Sequence, residues 1–408
     1  MQEEGDAMGA GGADLVVIGA GCIGGWTAYH AARAETGTVV VLERGLIGGG
    51  ASSRAAGIVR AQGGSATSVA LGRWSIAFYE RQADEIGADS GFRRLGYLLV
   101  ATSDEAAAHG RQRVADQRAL GLDVSWLDAD ATLRRHPGLA HGVVLGASHA
   151  PGDGAIDPER NVRAYALALA RLGVEVRERT PCLEVCVTGA PDAPRVTGVR
   201  TPHGVVPTDR VVLTGGPTLA AVGALAGTHI PVAGARHQVA VTQPSTDLGG
   251  EDVPMVFDVD AGTYWREHEG GLLFGMSNPD EVRGEAQLID WDHFARIRGR
   301  LERFVPATTG LGLRKVWAAT IDYTPDHLPI LGPALTAGGV PIAGTTVASA
   351  AGHGMMWGPA VGRVAADLAL TGHSDVVDTT DLGLDRFDAQ GRSRLPADLI
   401  ALPFPTTT

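Results

Sequence analysis

Lysine is all but missing from this chain: Lys315 is the one lysine among the 34 basic residues of a 408-residue sequence. Any chemistry that needs a lysine elsewhere is excluded. Cysteine is nearly as scarce. Cys22, Cys182 and Cys186 leave one odd thiol and no repeated CxxC, which excludes a disulfide framework and a structural zinc site. No apolar run approaches the roughly 18 residues of a membrane span. Residues 1–14 are acidic and glycine-rich, with neither the basic nor the apolar region of a signal peptide. Blocks of lysine and arginine are also lacking, and the formal charge is −12. That balance disfavours nucleic acid and anionic membranes as partners. A soluble, cytoplasmic protein is expected.

What the chain has in excess is glycine, 57 residues, about twice ordinary usage. Many positions therefore call for positive φ or close backbone approach. With 44% hydrophobic residues the core is ample, so the disordered and collagen-like classes are out.

Residues 14–18 (DLVVI) form a continuous apolar run that reads as a buried parallel strand. A tight turn follows at 19–24, then a helix over 23–34, with Gly25 and Ala28 where it presses on the sheet. Residues 38–42 (TVVVL) give a second buried strand, completing a βαβ unit. A helix is predicted over 158–172, strands over 174–177, 182–187 and 210–214, and a hairpin over 195–207. Helices at 74–87 and 106–120 and alternating strands at 239–242, 264–267 and 272–275 have a different texture. Helix and parallel-strand patterns return over 343–370, with the last long helix over 359–370. The reading is a dinucleotide domain in three segments (13–90, 150–230, 322–390), a second domain inserted between them (91–149 and 231–321), and a surface-tracking tail (391–408).

Gly19, Gly21 and Gly24 fit G-x-G-x-x-G around Ala20, Cys22 and Ile23. The first glycine permits the turn, the second lets a pyrophosphate approach the backbone, and the third allows close helix–strand packing. Orphan N–H groups opening the helix face the phosphates. Glu43 ends the second strand, where a carboxylate accepts hydrogen bonds from ribose hydroxyls and repels a 2′-phosphate. Cys22, inside the helix start, reads as packing.

Glu43-Arg44, the run 48–53 (GGGASS) and the run 56–60 (AGIVR) resemble the FAD-dependent D-amino-acid oxidase/sarcosine oxidase family, in particular its sarcosine oxidase beta-subunit-like branch and related amine dehydrogenases. The resemblance continues through 152–157 (GDGAID), 236–242 (RHQVAVT), 323–332 (YTPDHLPILG) and 350–362 (AAGHGMMWGPAVG), in the family's order and over nearly the whole chain. It implies an α/β (α+β) fold, a Rossmann-type FAD-binding domain with an inserted antiparallel-sheet substrate domain. Gly50, Ala51, Ser52, Ala56, Gly57 and Ile58 are implied flavin contacts. Val185 would pair its backbone with the adenine, and Gly215 and Gly216 would pass near the pyrophosphate. Gly352, Gly354, Met355 and Met356 would aim backbone donors at the flavin, with His353 adding charge or capping the turn.

The chain departs from the family pattern at its lysines. Members clamp a substrate carboxylate with an arginine matching Arg60 and a lysine in the segment of Met356; here only the arginine is present. A second lysine, which promotes reaction with oxygen in the strand matching 272–275, is replaced by apolar residues. The covalent FAD cysteine would fall in 316–321 and the FMN histidine near 158–159, and neither exists here. One non-covalent FAD is therefore expected.

Arg60, as carboxylate clamp or as an ion pair or flavin-phosphate contact, joins His237, Tyr264, Arg266, His268, Trp317 and His353 as substrate-side candidates. Alternation puts Tyr264 and Arg266 on one face and Trp265 on the other. His237, beside Arg236, also reads as an exposed strand end. The implied activity is hydride transfer from the C–N carbon of an amine or amino acid to flavin N5, giving an imine. The acceptor would be oxygen or a quinone- or dye-type partner. Two alternatives stand beside it, a 2-hydroxy-acid dehydrogenase and a flavin-carrying subunit of a larger electron-transfer complex.

Overall fold

The computed structural model describes residues 12–281, 283–286 and 288–398. The expected tail is described only as far as Asp398, and of residues 1–14 only the last three. No described helix is long and apolar enough to cross a membrane.

The chain opens with β1 (Leu15–Ile18), α1 (Cys22–Arg33) and β2 (Val39–Leu42), the βαβ unit expected from the sequence. A six-stranded sheet grows around it in the order Ile330–Gly332, Thr345–Ser349, Val211–Leu213, β1, β2, Glu175–Arg177. All neighbours run parallel except the first pair. Every residue of β1 and β2 is buried, as a parallel sheet covered on both faces requires. Leu15 and Val17 pack under α1 and the helices Ala66–Ile86, Pro158–Arg171 and Gly354–Thr371. Val16 and Ile18 pack on the opposite face, against the antiparallel meander Glu184–Pro207.

A second sheet of eight strands, almost wholly antiparallel, runs Leu313–Tyr323, Ala233–Thr242, Gly271–Ser277, Tyr264–His268, Met255–Asp258, Tyr97–Ala101, Gly146–Ala150, Ser125–Asp128. One face is sealed by helix Trp291–Phe304, whose Phe294 meets Phe274 and whose Phe304 meets Trp265. The other face turns toward the first sheet.

Three expectations change. Gly25 presses on a helix, not the sheet: a Cβ there would stand 2.6 Å from the Tyr165 ring. The last helix starts at Gly354, not 359, and carries Pro359 inside it. Pro359 has no N–H for the Met355 carbonyl, and the Tyr79 hydroxyl donates to that carbonyl instead, at 2.8 Å. The helix expected at 74–87 begins at Ala66 because Ser65 and Ser68 form a reciprocal cap.

The C-terminal segment is fastened by a buried ion pair. Arg386 grips Asp326 through two bonds of 2.7 and 3.0 Å, with both side chains at most 1% exposed. Ser393 also donates to Asp326, and Arg386 donates to the Leu382 and Leu328 carbonyls. Burial pushes the Asp326 pKa up, but the Arg386 contacts outweigh it and hold the group below its ordinary 3.8. Its stabilising effect is thus complete above that ordinary value and lost as pH falls through the lower folded one. Arg386→Leu strands a buried carboxylate and is expected to cost about 3–5 kcal/mol, read as a lower denaturant midpoint. An unchanged midpoint would show the pair to be dispensable.

Candidate active site

Between the two sheets lies a cavity of about 530 Å³, ordinary for a small-molecule site at roughly 300–1,000 Å³. Its head is the turn from β1 into α1. Gly19 adopts φ +103°, and Thr214 Oγ1 donates to the carbonyls of Ile18 and Gly19 at 2.8 and 3.2 Å. Gly24 lies so close beneath that a Cβ would stand 1.8 Å from the Gly19 oxygen. Gly21 is different. A Cβ there would meet only Ser52 Oγ, at 3.3 Å, and would otherwise enter open space.

The Cys22 N–H donates to Ser52 Oγ at 2.9 Å, and Ile23 also lines the wall. Burial pushes the Cys22 thiol up to about 12, so it stays neutral and packs. Glu43 is held by the N–H groups of Ala20 and Gly45, at 2.8 and 2.7 Å. Arg44, Pro181, Cys182, Val222 and Leu225 line the far end, and Gly215 and Gly216 the side. Val185 is off this wall, and its N–H is committed to the Leu225 carbonyl at 2.9 Å. Of its backbone groups, the donor is thus engaged within the fold.

The run from Gly50 to Ile58 crosses the cavity, and Gly50, Ala51, Ser52, Ala56, Gly57 and Ile58 all line it. Three long side chains brace this run. Arg54 Nη1 donates to the Gly50 carbonyl, Trp317 Nε1 to the Arg54 carbonyl, and Arg266 Nε to the Ala56 carbonyl, at 2.8, 2.9 and 2.8 Å. Arg266 thus shares a face with Tyr264 but supports the run from behind and is not on the cavity wall. Gly57 needs its φ of +74°, and a Cβ there would stand 2.2 Å from the Ile156 oxygen.

At the substrate end His237 sits mid-strand and buried, not at an exposed strand end. Its Nε2 is 2.7 Å from Tyr264 Oη, and its Nδ1 is 2.9 Å from Ser277 Oγ, which lies 3.0 Å from Tyr323 Oη. The antiparallel register makes this chain: His237 pairs with Ser277, and Tyr264 with Gly275. Burial pushes the His237 imidazole down to about 4, so it is neutral at pH 7. Arg60 is buried in the same wall and donates to the Gln62 carbonyl. His268 and Trp317 are not on the wall.

Gly352, His353, Gly354, Met355 and Met356 close the cavity at the head of the last helix. The turn there holds Ala351 at φ +49° and Gly352 at +83°. His353 stacks on Trp357, and burial pushes it down to about 3. Both its ring nitrogens are buried and lack a hydrogen-bond partner among the described residues. Such orphans call for a partner. The open approach over Gly21 and this neutral, unsatisfied imidazole fit a bound dinucleotide running from turn to turn.

Several wall residues were not singled out from sequence: Tyr97, Phe257, Ile321, Asp322 and Thr214. Asp322 was the most findable, since it immediately precedes the 323–332 block. It accepts from Ser349 Oγ at 2.7 Å, and burial raises its pKa.

A covered parallel sheet headed by a glycine turn, with a second sheet closing a largely apolar pocket over it, defines a dinucleotide-binding protein. The family model FAD dependent oxidoreductase matches residues 14–368, and the chain belongs to that family; its cofactor is FAD. This bears out the resemblance read from the sequence. The chain is similar to 4-methylaminobutanoate oxidase (formaldehyde-forming) of Paenarthrobacter nicotinovorans, 30% identical over 393 residues, 93% of this chain and 46% of the relative. Human mitochondrial sarcosine dehydrogenase is 29% identical over 334 residues, 79% and 36% of the two chains. This chain therefore spans less than half the length of either relative. Among solved structures, L-proline dehydrogenase from P. horikoshii matches with a TM-score of 0.81 at 25% identity, covering 90% of this chain and 95% of that one.

Proposed function

We propose that this chain oxidises the C–N bond of an amine or amino acid to an imine, with one non-covalent FAD held by the Gly19–Gly24 turn, Glu43 and the braced run ending at Ile58. The bound FAD supplies the hydride acceptor, and the protein supplies orientation and electrostatics. The observation that carries this reading is the neutral His237–Tyr264 pair set in the cavity wall with Arg60. The pair handles the proton of a substrate ammonium, and the guanidinium grips a substrate carboxylate. Tyr97, Phe257 and Ile321 exclude water around them. The segments 91–149 and 231–321 would act as the substrate domain.

Anaerobic bleaching of the flavin band near about 450 nm, a property of the cofactor itself, tests this against a panel of amines, amino acids and hydroxy acids. Bleaching by hydroxy acids alone would overturn the C–N reading. For the acceptor, the wall offers no lysine and a neutral His353, which favours a quinone- or dye-type partner over oxygen. Reoxidation in air as fast as with a dye would reject that preference.

Arg60→Ala is expected to raise KM for carboxylate substrates about 10- to 100-fold, the scale of a lost charged hydrogen-bond pair. A neutral amine should change far less. Equal damage to both would assign Arg60 to the cofactor.

A further inference from the structure

Directly beside the segment that carries Arg60 lies a second cavity. Arg60 lines the first cavity; its neighbour Ala61 and Asp153 line the second, of about 840 Å³. Asp153 is 1% exposed and accepts from the Ala61 N–H at 2.7 Å and from Gln62 Nε2 at 3.2 Å. The Gln62 carbonyl accepts from Arg60. The guanidinium and the carboxylate are therefore both tied to Gln62, one through its backbone carbonyl and the other through its side-chain amide.

We propose that a carboxylate ligand arriving at Arg60 is bound together with a proton that Asp153 takes up through the second cavity. The inference rests on the clamp reading of Arg60. A buried carboxylate near a cation gains a new anionic neighbour when the ligand arrives, and like charges in a poorly screened site cannot both stay ionised cheaply. Burial already raises the Asp153 pKa to about 6, against the pull of Ala61, Gln62 and Arg60. A further anion raises it again, toward neutral pH.

Other charged groups stand near this segment: Arg113 feels both Arg60 and Asp398, and the Asp398 carboxylate accepts from the Gly64 N–H at 3.0 Å. On the first-cavity side stand Arg60, Tyr97, Asp322 and His353, and burial pushes the tyrosine up and the imidazole far down. On the second-cavity side Arg73, Arg94 and Arg363 face Glu80, Asp123, Asp367 and Asp375. Arg94–Glu80 and Arg363–Asp367 are already ion pairs, and the exposed mouth gives protons a route that avoids the first cavity.

The test uses the FAD-loaded protein, with propionate as the anionic probe and propionamide as its neutral counterpart, both titrated by their perturbation of the flavin spectrum. In the parent, propionate Kd should rise with pH by up to about tenfold per unit above the midpoint, the slope of one linked proton. Calorimetry in buffers of different ionisation enthalpy should show up to one proton taken up. Propionamide should show neither. Asp153→Asn should flatten the slope, abolish the uptake and tighten propionate above the midpoint. Asp153→Glu, which keeps a carboxyl should the asparagine variant not fold, should move the midpoint and retain the uptake. Absence of uptake in the parent, or its persistence in Asp153→Asn, overturns the inference. If Arg60→Ala binds propionate as the parent does, the clamp reading fails instead.

Discussion

Gly24→Ala is expected to yield a colourless protein whose apo form melts well below that of the parent, whereas Gly21→Leu should lose FAD and keep its apo stability. The two glycines lie three residues apart in one motif, yet they meet different things. At Gly24 the added carbon stands 1.8 Å from the Gly19 oxygen and 2.6 Å from Thr214 Oγ1. A Cβ has no rotamer to escape by, so α1 must move off β1. The helix cannot yield freely. On its other side Gly358 and Gly362 bring the last helix against it, where a Cβ would stand 2.4 Å from Cys22 Sγ and 2.6 Å from Trp26 Cβ. Overpacking of this kind costs about 1–3 kcal/mol or more, and the displaced helix no longer aims its N–H groups at the phosphates. At Gly21 a side chain enters space that only the cofactor needs. The check is the melting temperature of both variants stripped of FAD, together with flavin absorbance after reconstitution. Gly21→Leu with retained flavin would place the dinucleotide elsewhere. Gly24→Ala with a parental apo melting temperature would mean the close packing is not obligatory.

The contrast shows what the sequence made legible. The β1–α1–β2 unit is local: an apolar run, a glycine turn and a second apolar run announce themselves within 30 residues or so, and they fold as read. The substrate-side sheet is not local. Strands Ser125–Asp128 and Gly146–Ala150 have neither an apolar run nor clean alternation, and their form is dictated by pairing, Gly146–Ala150 with Tyr97–Ala101 and Ser125–Asp128 in turn with Gly146–Ala150. Alternation correctly put Tyr264 and Arg266 on one face. What Arg266 meets, the Ala56 carbonyl 210 residues away, is a tertiary fact. Likewise His237 looked like a strand end beside Arg236, because nothing near it in sequence announces that Ala233–Thr242 is flanked on both sides by long partners. Asp153 was visible only as part of a family block; its raised pKa depends on burial from several segments.

His237→Ala is expected to lower kcat/KM for an amine substrate about 10²–10³-fold at pH 7, within the range for lost proton-transfer groups, while FAD stays bound. The deficit should shrink as pH rises. An alkylamine is charged at neutral pH and releases its proton near about pH 10, so a proton must leave before the nitrogen lone pair can assist loss of the C–H hydride. A neutral imidazole carries one N–H and one acceptor nitrogen. If Tyr264 donates to Nε2, Nδ1–H donates to Ser277, and Ser277 to Tyr323. If the tautomer reverses, every bond in the chain reverses with it. Either order spans from the cavity to Tyr323 across bonds of 2.7, 2.9 and 3.0 Å. A pKa pushed down to about 4 means that a proton arriving at His237 does not rest there; it is given up to solvent through the cavity once product leaves, which suits a transient carrier better than a storage base. Above the substrate's own pKa the amine enters already neutral and the carrier is unnecessary. The variant should then approach the parent to within about tenfold, the residue reflecting lost packing against Tyr264. Tyr264→Phe should show a smaller deficit with the same pH trend, since His237 keeps its link to Ser277. Parallel pH profiles for parent and His237→Ala, offset by a constant factor from pH 7 to about 10, would show that His237 positions the substrate and moves no proton.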